Sequence, residues 1–537
     1  MRRGGTSNPD RPWWGPREGV DPPNPLFTPY LFGLSSRHRD LWATALLVVA
    51  IAISRVLAFP ASIWEQDEAY FGCAVLNFDV IAHHPHPPWF PLWIALGKLV
   101  HVVVGEPTLA LQIVSLAASL WVVFPLVGLF AIWLRRDLAV AAAALYIFTP
   151  ATLFLSSRAF SGPLATAFLV CACAFWFRAD GGSRGAGVGS LLGGLCLLTR
   201  PHMFPPIAAV MGYRIFVSKS SMERSLVVTP LVMVVLMAFG AVAIDAGGAW
   251  PLWHALEEHA EYHFGELAGA ELMFSDSGLA RAFLRPEISL VWIGLVFLGL
   301  GGLHRYRRQF RGAEVVALLG LGPLVVTVYE FSYAGNVRYA LPIIALGSGF
   351  AVLGIAFLLR KLAAPAVAVI CVGVFVAAWP SLEEYRRIES PPVRAVASSL
   401  KEASQRGAVI VADGTLASFI DYERLRHGIP STVLFAYQIG TETVPPPAWA
   451  TVAVYDAGHG QYVERAEHFA RFACRSWWLS RLSQGRFLDI TVASGAGTRQ
   501  ISRPTNRGRE NTYVGRHTPP PNTVLTQPSS ASGEVAP

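Results

Sequence analysis

The stretch Trp64–Trp93, WEQDEAYFGCAVLNFDVIAHHPHPPWFPLW, decides how the rest of the chain is read. It follows the first long apolar segment, Ala43–Pro60, and opens on two adjacent carboxylates, Asp67 and Glu68, in a chain of which only 15% is charged. Asp79, the histidines His83, His84 and His86, and Pro87-Pro88 come next. Trp89-Phe90 then lead into an amphipathic stretch ending near Val104. Acids, imidazoles and amphipathic aromatics beside an apolar segment imply a site at the lipid-water interface. There a polar headgroup can be handled while its apolar tail stays in the bilayer.

The composition agrees. The chain has 537 residues, 53% of them hydrophobic, and a mean hydropathy of +0.43, which is too apolar for an ordinary soluble protein and implies a polytopic membrane protein. A net charge of +7 raises the question of a nucleic-acid partner. The Lys and Arg residues, however, cluster between apolar segments, as cytoplasmic loops require, so no nucleic acid is expected. Cys171-x-Cys173 lies inside an apolar segment and reads as small buried hydrophobes rather than a metal site.

Hydropathy and the positive-inside rule predict about eleven crossings. Residues 1–38, rich in Pro and Arg, are expected to be a disordered cytoplasmic arm. Residues 39–380 are expected to form the transmembrane catalytic domain, with external loops at 61–107 and 245–286. Its apolar segments include Thr108–Leu134, Leu138–Leu155, two short ones at Val188–Leu198 and Met203–Val217, and a last one at Ala363–Trp379. Arg135-Arg136 and His304–Arg311 mark the inside. Residues 381–494 read as a small extracytoplasmic α/β domain, with strands near 408–412, 432–435, 451–455 and 487–492 and helices at 393–404, 416–426 and 462–474. Residues 495–537 read as a disordered tail.

The chemically loaded loops all fall on one side in this topology: Asp67-Glu68 with the histidines, Arg158, Arg200, the stretch WHALEEHAEYHFGEL, and Arg338-Tyr339. Asp67 and Glu68 read either as a solvated loop or helix cap, or as a general base or metal ligand beside a reacting phosphate. His254 and Glu258, and again His259 and His263, stand four apart, a spacing compatible with metal ligation on one helix face and common without it. Of the His/Pro run, His86 before Pro87-Pro88 is the histidine placed at the site. Arg338 either snorkels to headgroups or clamps a lipid phosphate.

DEAY, then a histidine before Pro-Pro and an aromatic interfacial helix, resembles the GT-C superfamily of integral-membrane glycosyltransferases. The similarity is greater to the bacterial branch of protein O-mannosyltransferase relatives and aminoarabinose lipid A transferases. SRAFSGPLATAFL, GGLCLLTRPH, EEHAEYHF and NVRYALP follow in order. The resemblance implies a GT-C fold and transfer of a sugar from a polyprenyl-phosphate-linked donor to a hydroxyl of an envelope acceptor (protein, lipid or glycan), with inversion. It makes Asp67 the catalytic base with Glu68 as its neighbour. His86, Arg158, Arg200, Arg338 and Tyr339 would bind the donor phosphate, and Asp67, His259 and His263 would ligate a divalent metal. No nucleotide cofactor is implied. The partners are the lipid-linked donor, the acceptor and membrane lipids, and the expected place is a bacterial inner membrane with the N-terminus cytoplasmic. The competing reading, a transporter or flippase of envelope precursors, requires ionisable residues inside the spans, and the spans above hold few.

Overall fold

A computed structural model describes residues 38–80, 84–177, 182–261, 277–305, 320–323, 325, 336–406, 409–412, 414–428, 433–435, 449–455, 468–473 and 489–496. The described part is mostly helical. Helix α1 (His38–Leu57) is followed by α2 (Gln66–Leu76), α3 (Pro91–Val104), α4 (Pro107–Trp121), α5 (Val123–Phe130), α6 (Arg136–Ile147) and α7 (Pro150–Leu155). Then come α8 (Gly162–Phe177), α9 (Gly182–Thr199), α10 (Phe204–Val217), α11 (Ser221–Asp245), α12 (Ala249–Glu261), α13 (Gly278–Ala282) and α14 (Pro286–Arg305). Beyond these lie α15 (Leu341–Leu359), α16 (Ala363–Arg387), α17 (Pro391–Arg406) and α18 (Gly414–His427).

Among the described residues, Pro107–Phe130, Ser221–Asp245, Pro286–His304 and the helical segment Leu341–Lys401 are long and apolar enough to cross a membrane. With shorter apolar helices beside them, the chain is a multi-pass membrane protein. Helices α14 and α15 meet backbone to backbone. A Cβ on Gly299 would stand 2.1 Å from the Phe350 carbonyl oxygen, and one on Gly354 would stand 2.2 Å from that of Leu295. Small residues of this kind let helices approach where lipid supplies no hydrophobic drive.

Several expected boundaries move. The single span expected over Thr108–Leu134 is α4 followed by α5, ending at Phe130, and the one over Leu138–Leu155 breaks at Thr149, where Pro150 starts α7. The short segment at Val188–Leu198 belongs to the 18-residue α9. The division at residue 380 falls inside α16, which continues through Pro380 to Arg387 and carries the buried Tyr385 against Trp64 and Phe154. A charge is also buried within a span. Arg55 of α1 donates from Nη2 to the Ile147 carbonyl at 2.6 Å and from Nη1 to Ser54 Oγ at 3.2 Å, so it closes the open C-terminal end of α6.

A five-stranded sheet is built from β1 (Val409–Ala412), β2 (Val433–Phe435), β3 (Trp449–Tyr455), β4 (His468–Ala473) and β5 (Asp489–Ala496), in the order β2-β1-β3-β5-β4. β1 lies parallel to β2 and β3, while β5 pairs antiparallel with β3 and β4. Part of the stretch expected as a helix at 462–474 is therefore strand. His468–Ala473 aligns residue by residue with Ser494–Asp489, and this ladder overrides the local helical pattern.

Candidate active site

Helix α2 starts where it does because Glu65 and Glu68 make it start. Glu65 is the N-cap in an extended conformation, and the Glu68 carboxylate three residues on accepts from the Glu65 backbone N–H at 3.0 Å and from that of Trp64 at 2.7 Å. The same carboxylate accepts from Arg158 Nη2 at 2.5 Å and from the Ala159 N–H at 3.1 Å. Glu68 is fully buried, and four donors meet it. Arg158 is held in turn by Glu65 at 2.9 Å. Burial works against its charge, but Glu68, Tyr385 and Glu65 outweigh that and raise the guanidinium above its ordinary value. The two residues expected as a catalytic acid and a phosphate ligand are thus joined to each other, fastening α2 to the 158–160 turn.

With Glu68 held in the cap, its neighbour Asp67 takes a different environment. Its carboxylate meets the Arg338 guanidinium in an ion pair whose side chains are 20% and 14% exposed. Burial would raise the Asp67 carboxyl, but the charges of Arg338, His86 and Arg200 together outweigh it and hold the group below its ordinary value. Arg338 sits in a short 3₁₀ turn, Val337–Tyr339, whose first residue is capped by the Asn336 side chain accepting from the Arg338 N–H at 3.2 Å.

Aromatic rings then gather the cations. The Arg158 guanidinium lies 4.6 Å from the Phe160 ring and that of Arg338 lies 5.5 Å from the same ring. Arg338 and Arg200 lie 5.3 and 4.6 Å from the Tyr339 ring, and His202 meets that ring edge-on at 4.7 Å. Gly162 leaves room for this: a Cβ there would stand 3.1 Å from Arg200 Nη1. On the other flank His86 packs among Tyr70, Phe71 and Phe90, with ring centroids 5.9, 5.7 and 5.2 Å away. Backbone bonds of 2.8 Å each way between Asp79 and His84 close the loop before it, and Trp89 and Phe90, both at positive φ and both buried, turn the chain into α3.

The structure therefore brings Asp67, His86, Arg158, Arg200, Arg338 and Tyr339 together from five separate stretches of chain. His263 and the His259 side chain lie outside the described residues. Glu65, Phe160 and His202 also belong to the cluster, although the sequence reading did not select them. Glu65 and Phe160 flank residues that were selected, and His202 ends the TRPH signature.

No protein-family model matches this chain, and no curated protein does. In fold it is similar to ArnT from Cupriavidus metallidurans bound to undecaprenyl phosphate, with a TM-score of 0.54 at 13% identity over 86% of this chain and 98% of that one. ArnT from the same organism in the apo state gives 0.51 at 11% identity, over 84% and 97%.

The chain shares the fold of these ArnT structures.

Within this fold, the first turn of α2 supplies the acid, while the α7–α8 turn, the end of α9 and the turn before α15 supply the three arginines. Two of the three expected metal ligands, His259 and His263, have side chains outside the described donor set. Among the described residues no three His, Cys, Asp or Glu side chains group as metal ligands, and Asp67 faces a guanidinium.

Proposed function

We propose that the chain is a glycosyltransferase that moves a sugar from a polyprenyl-phosphate-linked donor to a hydroxyl of an envelope acceptor, with inversion at the anomeric carbon. The observation that carries this reading is the Asp67–Arg338 pair, ringed by Arg200, Tyr339 and His86. A lipid phosphate is a leaving group that arginines stabilise without a nucleotide-binding loop. The similar ArnT structure was obtained with undecaprenyl phosphate bound.

In this mechanism the acceptor oxygen forms its bond to the anomeric carbon as the carbon-oxygen bond to phosphate breaks. The lipid phosphate departs with the electron pair, and Asp67 takes the acceptor's proton. Arg338 links the two events. Once it is drawn toward the donor phosphate it neutralises Asp67 less, and the carboxylate becomes a stronger base. Glu68 and Arg158 act as positioning residues that hold α2 and Phe160. His86 and Arg200 contribute positive charge beside the phosphate, and Tyr339 is the surface on which Arg200 and Arg338 rest.

The same proposal places the site on the extracytoplasmic face of a bacterial inner membrane, with the N-terminus cytoplasmic and an outer α/β domain from α17 onward. Arg55 does not turn the reading toward a transporter, since its guanidinium is engaged by Ile147 and Ser54. The test is transfer of label from a panel of radiolabelled polyprenyl-phosphate sugars into envelope extract by purified protein in nanodiscs. Wild type should transfer label, and a folded Asp67→Asn should not. An active Asp67→Asn would refute the base assignment, and a wild type inert toward every donor would refute the reaction.

A further inference from the structure

His202 ends the TRPH motif in the short 3₁₀ turn Pro201–Met203, between α9 and α10. Its ring meets Tyr339 edge-on at 4.7 Å, the same ring that carries Arg200 and Arg338. Its Nε2 is buried and makes no hydrogen bond among the described residues. A buried imidazole nitrogen without a partner is costly, and one beside two guanidiniums is best satisfied by an anion's oxygen.

Burial pushes the imidazole well below its ordinary value, and the charges of Arg200 and Arg338 push it the same way, so the ring is neutral. A neutral ring can donate a hydrogen bond without adding a third positive charge to the cluster. The charged and titratable groups that face it are Arg200, Arg338 and Tyr339, with Asp67 behind Arg338.

We propose that His202 is a further ligand of the donor phosphate, Nε2–H donating to a phosphate oxygen in the cradle made by Arg200, Arg338 and Tyr339. This rests on the lipid-phosphate reading above. The competing role is packing alone, with the ring serving only to support Tyr339.

The two roles separate by substitution. His202→Gln can place an amide N–H near the position of Nε2 but loses the aromatic edge, whereas His202→Phe keeps the edge and loses the N–H. The measurement is binding of undecaprenyl phosphate to the full chain in phosphatidylcholine nanodiscs, with undecaprenol, which has the tail but no phosphate, as the second probe. Replacing the nanodisc lipid by phosphatidic acid shows whether an ordinary phosphomonoester headgroup competes for the same site.

His202→Phe should weaken undecaprenyl phosphate binding about tenfold, the loss expected for a hydrogen bond to a charged group. His202→Gln should retain most of the affinity, and neither variant should change undecaprenol binding. Phosphatidic acid should compete with undecaprenyl phosphate in wild type and less so in His202→Phe. Retention by His202→Phe with loss by His202→Gln would assign the ring to packing and overturn the proposal, as would equal binding by all three proteins or parallel losses for undecaprenol. A wild type that does not bind undecaprenyl phosphate would overturn the functional reading and this inference with it. A wild type that binds alongside unaffected variants would overturn this inference alone.

Discussion

Asp67 and Arg338, 271 positions apart, form an ion pair between the first turn of α2 and the turn that precedes α15. Their pairing sets a pH expectation. Asp67 is depressed below its ordinary value by Arg338, His86 and Arg200, which outweigh burial, so it stays ionised as pH falls through the usual carboxylate range of about 4. Its contribution to stability is present above the unfolded-state value and is lost only as pH falls through the lower folded-state value. Removing Arg338 weakens the depression, because burial is then opposed by fewer charges. In Arg338→Gln the acid limb of donor turnover should move to higher pH than in wild type. The pH profile of kcat/KM for both proteins is the check, and an unmoved limb would separate Asp67 from the titration.

Glu68 should behave as a structural acid. Glu68→Gln leaves the buried Arg158 with Glu65 as its remaining ion-pair partner and deprives three backbone N–H groups of a charged acceptor. Breaking a buried pair from one side costs about 3 kcal/mol. Thermal unfolding in detergent should show a clearly lowered midpoint for Glu68→Gln. Asp67→Asn should unfold near wild type while losing turnover, and a Glu68→Gln protein as stable as wild type would contradict the capping role.

Tyr422 ties α18 to α2, the helix that carries Asp67. Its hydroxyl donates to Glu106 and lies 3.2 Å from Thr108 Oγ1, and its ring covers Gly72 of α2 so closely that a Cβ there would stand 2.5 Å from it. Gly72→Ala should therefore overpack the joint and cost about 1 to 3 kcal/mol. Adding Tyr422→Ala should recover part of that loss by removing the ring it strikes. Unfolding midpoints of the two single variants and the double variant test this through their non-additivity. Simple additivity would mean the contact is absent.

The donor set around Asp67 predicts the response to chelation. With the Arg338 guanidinium against the carboxylate and no three metal-ligating side chains grouped among the described residues, transfer should persist in EDTA at a rate within about threefold of the untreated enzyme. The rate before and after chelation, and after adding back Mg²⁺ or Mn²⁺, is the measurement. Loss restored by metal would bring His259 and His263 into the site.

How much could be read from the residues alone follows from which forces are local. Membrane character is a matter of composition, and helix positions follow from apolar runs of bilayer length, so both are legible along the chain. The scarcity of acids singled out Asp67 and Glu68, and the resemblance of short motifs to those of a known family singled out His86, Arg158, Arg200, Arg338 and Tyr339. The chain by itself could not divide the labour between two neighbouring carboxylates. Successive residues on a helix face different ways, so Glu68 turns back into the cap and toward Arg158 while Asp67 meets Arg338. That difference depends on partners 90 and 271 positions away. The same holds for β4, whose strand conformation comes from pairing with β5, and for His202, whose importance lies in the company of Tyr339. Composition and periodicity determine where the chain sits and where it turns, because those depend on neighbours in sequence. Which groups share a charge, a ring or a proton is decided only when distant turns converge, because electrostatics and packing act through space over a few ångströms.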